Sequence, residues 1–256
     1  MLKRTVSLLM ACALVLGLAA CGNDNKQTGG NDQQAEKQVL RMATNAEFPP
    51  YEYHEGDAIV GIDADIAAAI AEKLGMELQI EDMAFDSTLM ALASGQADMV
   101  MAGMTVTEER KENANFSTPY AEAHQVVIVK EDSEIATLDD LQGKKIGVQT
   151  NTTGDIYSTD DFGDEAVERY NKGADAVISL NQGLIDAVII DLEPAKVFVA
   201  TNDGLKLLET EYATEEYAIA LNKENTELFE KVDGALQELI ADGTVQEIVD
   251  RYINAE

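Results

Sequence analysis

The sequence predicts an α/β protein of two similar lobes, each a mainly parallel sheet flanked by helices. Three observations predict it. Residues 86–103 and 175–191 carry one pattern twice, Leu-x-x-Gly-x-x-Asp and then an apolar strand: Leu92, Gly95, Asp98 and Met99–Ala102, then Leu180, Gly183, Asp186 and Ala187–Ile190. Both strands are apolar on successive residues, as strands are when helices cover both faces of a parallel sheet. Apolar residues spaced by four at Ile62, Ile66, Ile70 and Leu74, stopped by Gly75, mark a helix of the kind that covers such a sheet.

Taken in order, the chain opens with Lys3 and Arg4, an apolar run from Val6 to Leu18 and small residues, the layout of a signal peptide over 1–20. That run is short of the ~20 apolar residues a membrane span needs. Gly22 to Gln38 has no apolar residue but Ala35, so 21–38 reads as a tether. Val39–Thr44 is β-like and leads into a turn-rich aromatic segment, 45–53, where Pro49 and Pro50 forbid helix or central strand. The helix from Ile62 is followed by a strand at Met76–Ile80, then by the first copy of the repeat, whose helix starts at Asp86-Ser87. The second lobe opens at Leu138–Lys145 with a strand at Ile146–Val148, and carries the second copy, its helix starting at Asp175. Tyr217–Leu221 alternates like a strand, and Glu224–Ile253 gives two amphipathic helices parted near Gly243.

The 48 acidic residues against 18 basic ones give a net charge of −30 over 256 residues, which repels phosphate backbones and excludes nucleic acid as a partner. Cys12 and Cys21 are the only cysteines and precede the globular region, so no disulfide framework or Cys-rich metal site is expected in the fold. No Walker loop, Rossmann fingerprint, HExxH or GxSxG is present. His54 and His124 stand apart, and the acidic run from Asp155 to Glu165 lacks the spacing of a calcium loop. No cofactor, metal or catalytic residue is expected.

In a doubly wound sheet a ligand lies beyond the carboxyl ends of the strands, where Gly103 and Asp191 stand. Gly103-Met104-Thr105-Val106-Thr107-Glu108-Glu109-Arg110 is the strongest polar cluster. Thr107 can cap a short helix, and Arg110 in its first turn opposes the helix dipole unless an anion arrives. Helix amides, a hydroxyl and a guanidinium suit a carboxylate. Asp191 either caps the helix after it or, facing an anion site, takes an ammonium group. Phe48, Tyr51, Tyr53 and Phe85 supply flat faces, with Phe48 held out of regular structure by the prolines.

These residues resemble the amino-acid-binding proteins of ABC importers, solute-binding protein family 3, the group containing the glutamine-, histidine- and lysine/arginine/ornithine-binding proteins. The resemblance runs from Val39 to the C-terminus through Thr44–Tyr53, Gly61–Ala67, Gly103–Arg110, Phe116–Tyr120, Gly143–Gln149, Thr152–Gly154 and Ile185–Asp191. It implies the type II periplasmic-binding-protein-like fold, with 39–128 plus 222–256 as lobe 1, 129–221 as lobe 2, and two hinge crossings at Val127–Lys130 and Ala218–Asn222. It implies that Arg110 clamps a ligand α-carboxylate with donors from Thr105 and Thr153, and that Gly103 and Asp191 receive the α-ammonium. Phe48 and Phe85 wall the ligand side chain, and Met104 and Gln149 complete the binding set. Asn45 stands where relatives that bind basic amino acids or glutamine commonly have Asp, leaving Glu47 or Glu52 as sources of negative charge.

Leu18-Ala19-Ala20-Cys21-Gly22 resembles a bacterial lipobox, implying lipidation of Cys21 and a monomer anchored on the outer side of the membrane, working with a transporter permease. Two other functions fit the same fold: an exported dehydratase of cyclic carboxylic acids, which needs a general acid or base near the cleft, and a sensor input domain, which needs a membrane segment and an output domain.

Overall fold

A computed structural model describes residues 37–208 and 210–253. The expected signal peptide and Cys21, and all of the tether but Lys37 and Gln38, lie outside these residues.

One lobe is built on a five-stranded sheet in the order Glu77–Asp82, Val39–Thr44, Met99–Val100, Ala220–Asn222, Ala114–Phe116. The first three strands run parallel, and Ala220–Asn222 runs antiparallel to both its neighbours. The helices Ile62–Leu74 and Phe85–Ser94 return the chain between the parallel strands. Ile62, Ile66 and Ile70 are all fully buried, as their spacing predicts. The other lobe has a six-stranded sheet: Val167–Tyr170, Ile146–Gln149, Ala187–Asp191, the long strand Ala121–Lys130 and Leu205–Leu207, with Ala213–Tyr217 also paired to the long strand. Its first three strands are again parallel. The C-terminal helices Thr226–Ala241 and Thr244–Ile253 bury Val232, Leu236, Val245 and Ile248 against the first lobe's core.

The repeated sequence pattern has one structural cause in both lobes. Gly95 and Gly183 adopt φ of 75° and 73° at the helix ends, a conformation that favours glycine. Three residues on, Asp98 donates its amide to the Arg41 carbonyl and accepts the Arg41 amide on its carboxylate at 2.9 Å. Asp186 does the same with Lys145, at 2.8 Å for the carboxylate contact. The aspartate thus ties the start of each apolar strand to the strand beside it.

Two expectations are corrected. Val127–Lys130 is not a crossing: it pairs with Ala187–Asp191 and Leu205–Leu207 inside the six-stranded sheet, whose interior demands apolar residues. The chain instead leaves the five-stranded sheet at Ser117–Tyr120 and returns at Ala218–Ile219. Nor is Tyr217–Leu221 one strand, because Tyr217 ends a strand of the six-stranded sheet and Ala220 begins one of the five-stranded sheet. Residues 121–124 and 214–217 form a ribbon between these crossings, paired to each other.

Candidate functional site

The carboxyl ends of both parallel sets converge on one cavity lined by residues of both lobes. Nine of the ten residues expected to bind a ligand line it: Asn45, Phe48, Phe85, Gly103, Thr105 and Arg110 from one lobe, Gln149, Thr153 and Asp191 from the other. Met104 does not. Its side chain is fully buried among Phe85, Leu92, Val100 and Ala220, as an apolar residue beside the sheet should be, and its carbonyl accepts from the Ala218 amide.

Arg110 lies in the first turn of the short helix Glu108–Asn113, capped by Thr107, whose hydroxyl accepts the Arg110 amide at 3.1 Å. The guanidinium is buried, with its carbon 5.4 Å from the centre of the Phe85 ring. Nη1 donates to the Thr105 carbonyl at 2.8 Å and Nη2 to the Asn151 carbonyl of the facing lobe at 3.0 Å. Both partners are neutral. Burial pushes its pKa below the usual arginine value, opposed by the negative charges of Glu215 and Asp191.

Asp191 occupies the N-cap position of the helix Leu192–Thr201, yet its side chain makes no capping bond. The carboxyl receives the Tyr217 hydroxyl instead and lines the cavity. Burial raises its pKa to about 7, which the Tyr217 hydrogen bond only partly offsets. Gly103 has φ of 53°, and its amide donates to Asp63 at 3.0 Å. A Cβ there would stand 2.9 Å from the Phe48 ring, so the glycine lets that ring lie on the cavity.

At the other end, Asn45 is held by its Nδ2 on the Met83 carbonyl at 2.9 Å, and its Oδ1 accepts Gln149 Nε2 across the cleft at 2.9 Å. The two acids near Asn45 separate. Glu47 is paired with Lys172 at the rim, so its charge is already balanced. Glu52 is buried, lines the cavity, and faces the buried Asp63 carboxyl. Burial and the neighbouring Asp63 hold its pKa well above the ordinary value.

Thr152, Ala102 and Glu52 complete the lining, and Glu215 and Gln125 stand behind it. Glu215 stands next to the exposed Glu216, and only the strand pairing turns it inward. Asn151 was equally silent, although its φ of 63° at the turn before Thr153–Phe162 is a conformation asparagine tolerates better than most residues.

Residues 40–255 match the family described as bacterial extracellular solute-binding proteins, family 3. The chain belongs to this family. The solute-binding protein is 33% identical over 260 residues to the arginine-binding extracellular protein ArtP of Bacillus subtilis, covering 100% of both chains. Its fold is similar to the arginine-, lysine-, histidine-binding protein ArtJ of Geobacillus stearothermophilus, with a TM-score of 0.81, 35% identity and coverage of 86% of this chain and 96% of that one. It is likewise similar to an ancestral arginine-binding protein bound to glutamine, with a TM-score of 0.80, 40% identity and coverage of 85% and 98%. The fold and family expected from the sequence are those found, and the relatives named are binding proteins.

Proposed function

We propose that this solute-binding protein captures a basic or polar L-α-amino acid between its lobes and presents it to the permease of an ABC importer. One observation carries the reading: a buried arginine and a buried aspartate, from opposite lobes, line one cavity. A zwitterion leaving water needs a fixed partner for each charge. Arg110 and the N-terminus of the ten-residue helix Thr153–Phe162 suit the α-carboxylate. Asp191 and the Gly103 carbonyl suit the α-ammonium. Phe48 and Phe85 flank the ligand, with Asn45, Gln149 and Glu52 offering polar contacts to its side chain. Ligand contacts to both lobes favour the closed arrangement over an open one.

The relatives named for arginine, and the one bound to glutamine, support a ligand with a nitrogen-rich polar side chain. We further propose export by the segment 1–20, anchoring by lipid on Cys21 through the tether, and action as a monomer without cofactor or metal.

A thermal-shift screen of the protein without residues 1–20, against the common amino acids, cystine, sugars and metal ions, tests this. A ligand at ~100 times its Kd adds ~2.7 kcal/mol of stability, and L-arginine, L-lysine, L-histidine or L-glutamine is expected to do so, recovered unchanged. A shift with sugars or metals and with no amino acid ends the reading. For the anchor, Cys21→Ser is expected to abolish detergent partitioning of the processed protein.

A further inference from the structure

Glu215 is buried on the strand Ala213–Tyr217, in the ribbon that joins the lobes. Its Oε2 accepts three bonds: from the Thr105 hydroxyl at 3.2 Å, the Thr153 hydroxyl at 3.0 Å and Gln125 Nε2 at 3.0 Å. Thr105 belongs to one lobe and Thr153 to the other. Both line the cavity beside Arg110, and both hydroxyls are the groups that a ligand carboxylate on Arg110 would call on. A hydroxyl has one proton to give, and here each gives it to Glu215.

We propose that Glu215 is an internal stand-in for the ligand's carboxylate, a positioning residue that takes the hydroxyl protons of Thr105 and Thr153 and lowers the affinity of the site. The inference rests on the amino-acid-binding reading. Three features of the geometry support it. An ionised carboxylate only accepts, so the direction of the two hydroxyl bonds is set by chemistry. Those bonds leave the two hydroxyl oxygens only acceptor capacity to offer a ligand, and Thr153 Oγ1 already accepts from Gln125 Nε2 at 3.3 Å. Glu215 also offsets the buried Arg110 guanidinium in place of a ligand, which leaves an arriving carboxylate facing a like charge across the same hydroxyls. Binding then proceeds on Arg110, the helix N-terminus and Asp191, against the field of Glu215.

Glu215→Gln keeps the shape and removes the charge. Isothermal titration of the unaltered protein and of E215Q with L-arginine, L-lysine, L-histidine and L-glutamine is expected to give affinities higher in the variant on the order of tenfold, for whichever of these binds. The gain should depend on the hydroxyls: in the E215Q background, Thr105→Val should remove much of it. Equal or weaker binding by a folded E215Q, or a gain that Thr105→Val leaves intact, overturns the inference while leaving the function standing. If E215Q does not fold, Glu215→Ala under the same titration decides by the same sign, and loss of fold in both makes Glu215 structural and overturns the inference. An unaltered protein that binds none of the common amino acids ends the functional reading, and the inference with it.

Discussion

The two copies of the Leu-x-x-Gly-x-x-Asp unit share their backbone device and part company one residue after the strand. In each, a left-handed glycine ends the helix and an aspartate ties the next strand to its neighbour. Beyond the strands, one copy runs on to Gly103 and lends an amide, a carbonyl and room for the Phe48 ring. The other stops at Asp191 and lends a buried carboxyl. The residues that build the fold are alike because each lobe must solve the same packing problem. The residues that meet a ligand differ because its two ends carry opposite charges.

Removing the charges strains that contrast most. Arg110→Ala and Asp191→Ala are each expected to weaken amino-acid binding by about 2–5 kcal/mol, roughly 30-fold to several-thousand-fold by titration calorimetry, with the unliganded fold retained. Asp191→Asn should lose less, since its amide oxygen still accepts.

Next comes pH. With its pKa raised to about 7, Asp191 carries a proton increasingly as pH falls below that value, and an ammonium ligand must displace it. Affinity is therefore expected to fall as pH drops below about 7, by up to tenfold per unit, with proton release visible in buffers of different ionisation enthalpy. The unliganded fold behaves oppositely. From the ordinary value of 3.8 up to about 7 the native state keeps a proton that the unfolded chain gives up, so this group's contribution to stability falls as pH rises. Asp191→Asn should flatten both profiles.

The shared aspartates give smaller effects on stability alone. Asp98→Ala and Asp186→Ala each remove the partner of a backbone amide, at about 0.5–1.5 kcal/mol in chemical denaturation. Asp98 should cost more, since it also receives the Arg41 side chain at 2.8 Å whereas Asp186 is exposed. Smallest is Lys172→Ala, which opens a rim pair across the cleft and should shift affinity by less than about 1 kcal/mol, chiefly at low salt.

Periodicity and the repeat carried most of the fold, because helices and buried strands write their burial into local spacing. The hinge was harder. Val127–Lys130 reads as any apolar strand, and only its partners show that it is sheet interior. At the cavity, Arg110 was legible because an arginine in a helix's first turn contradicts local electrostatics, and Asp191 because it ends an apolar strand. Glu215 and Asn151 were not, one standing next to the exposed Glu216 and the other acting through its backbone carbonyl, which carries no residue signature. Met104, between Gly103 and Thr105 in sequence, faces the core instead, for the strand end alternates between cavity and core.

The strand Ala220–Asn222 lies between Met99–Val100 and Ala114–Phe116, and so sits inside a sheet whose other members are all made more than a hundred residues earlier. During synthesis the six-stranded sheet can be completed first, while the earlier lobe waits with a gap that exposes strand edges on both sides. Stable folding of the first lobe is thereby postponed until nearly the whole chain has emerged.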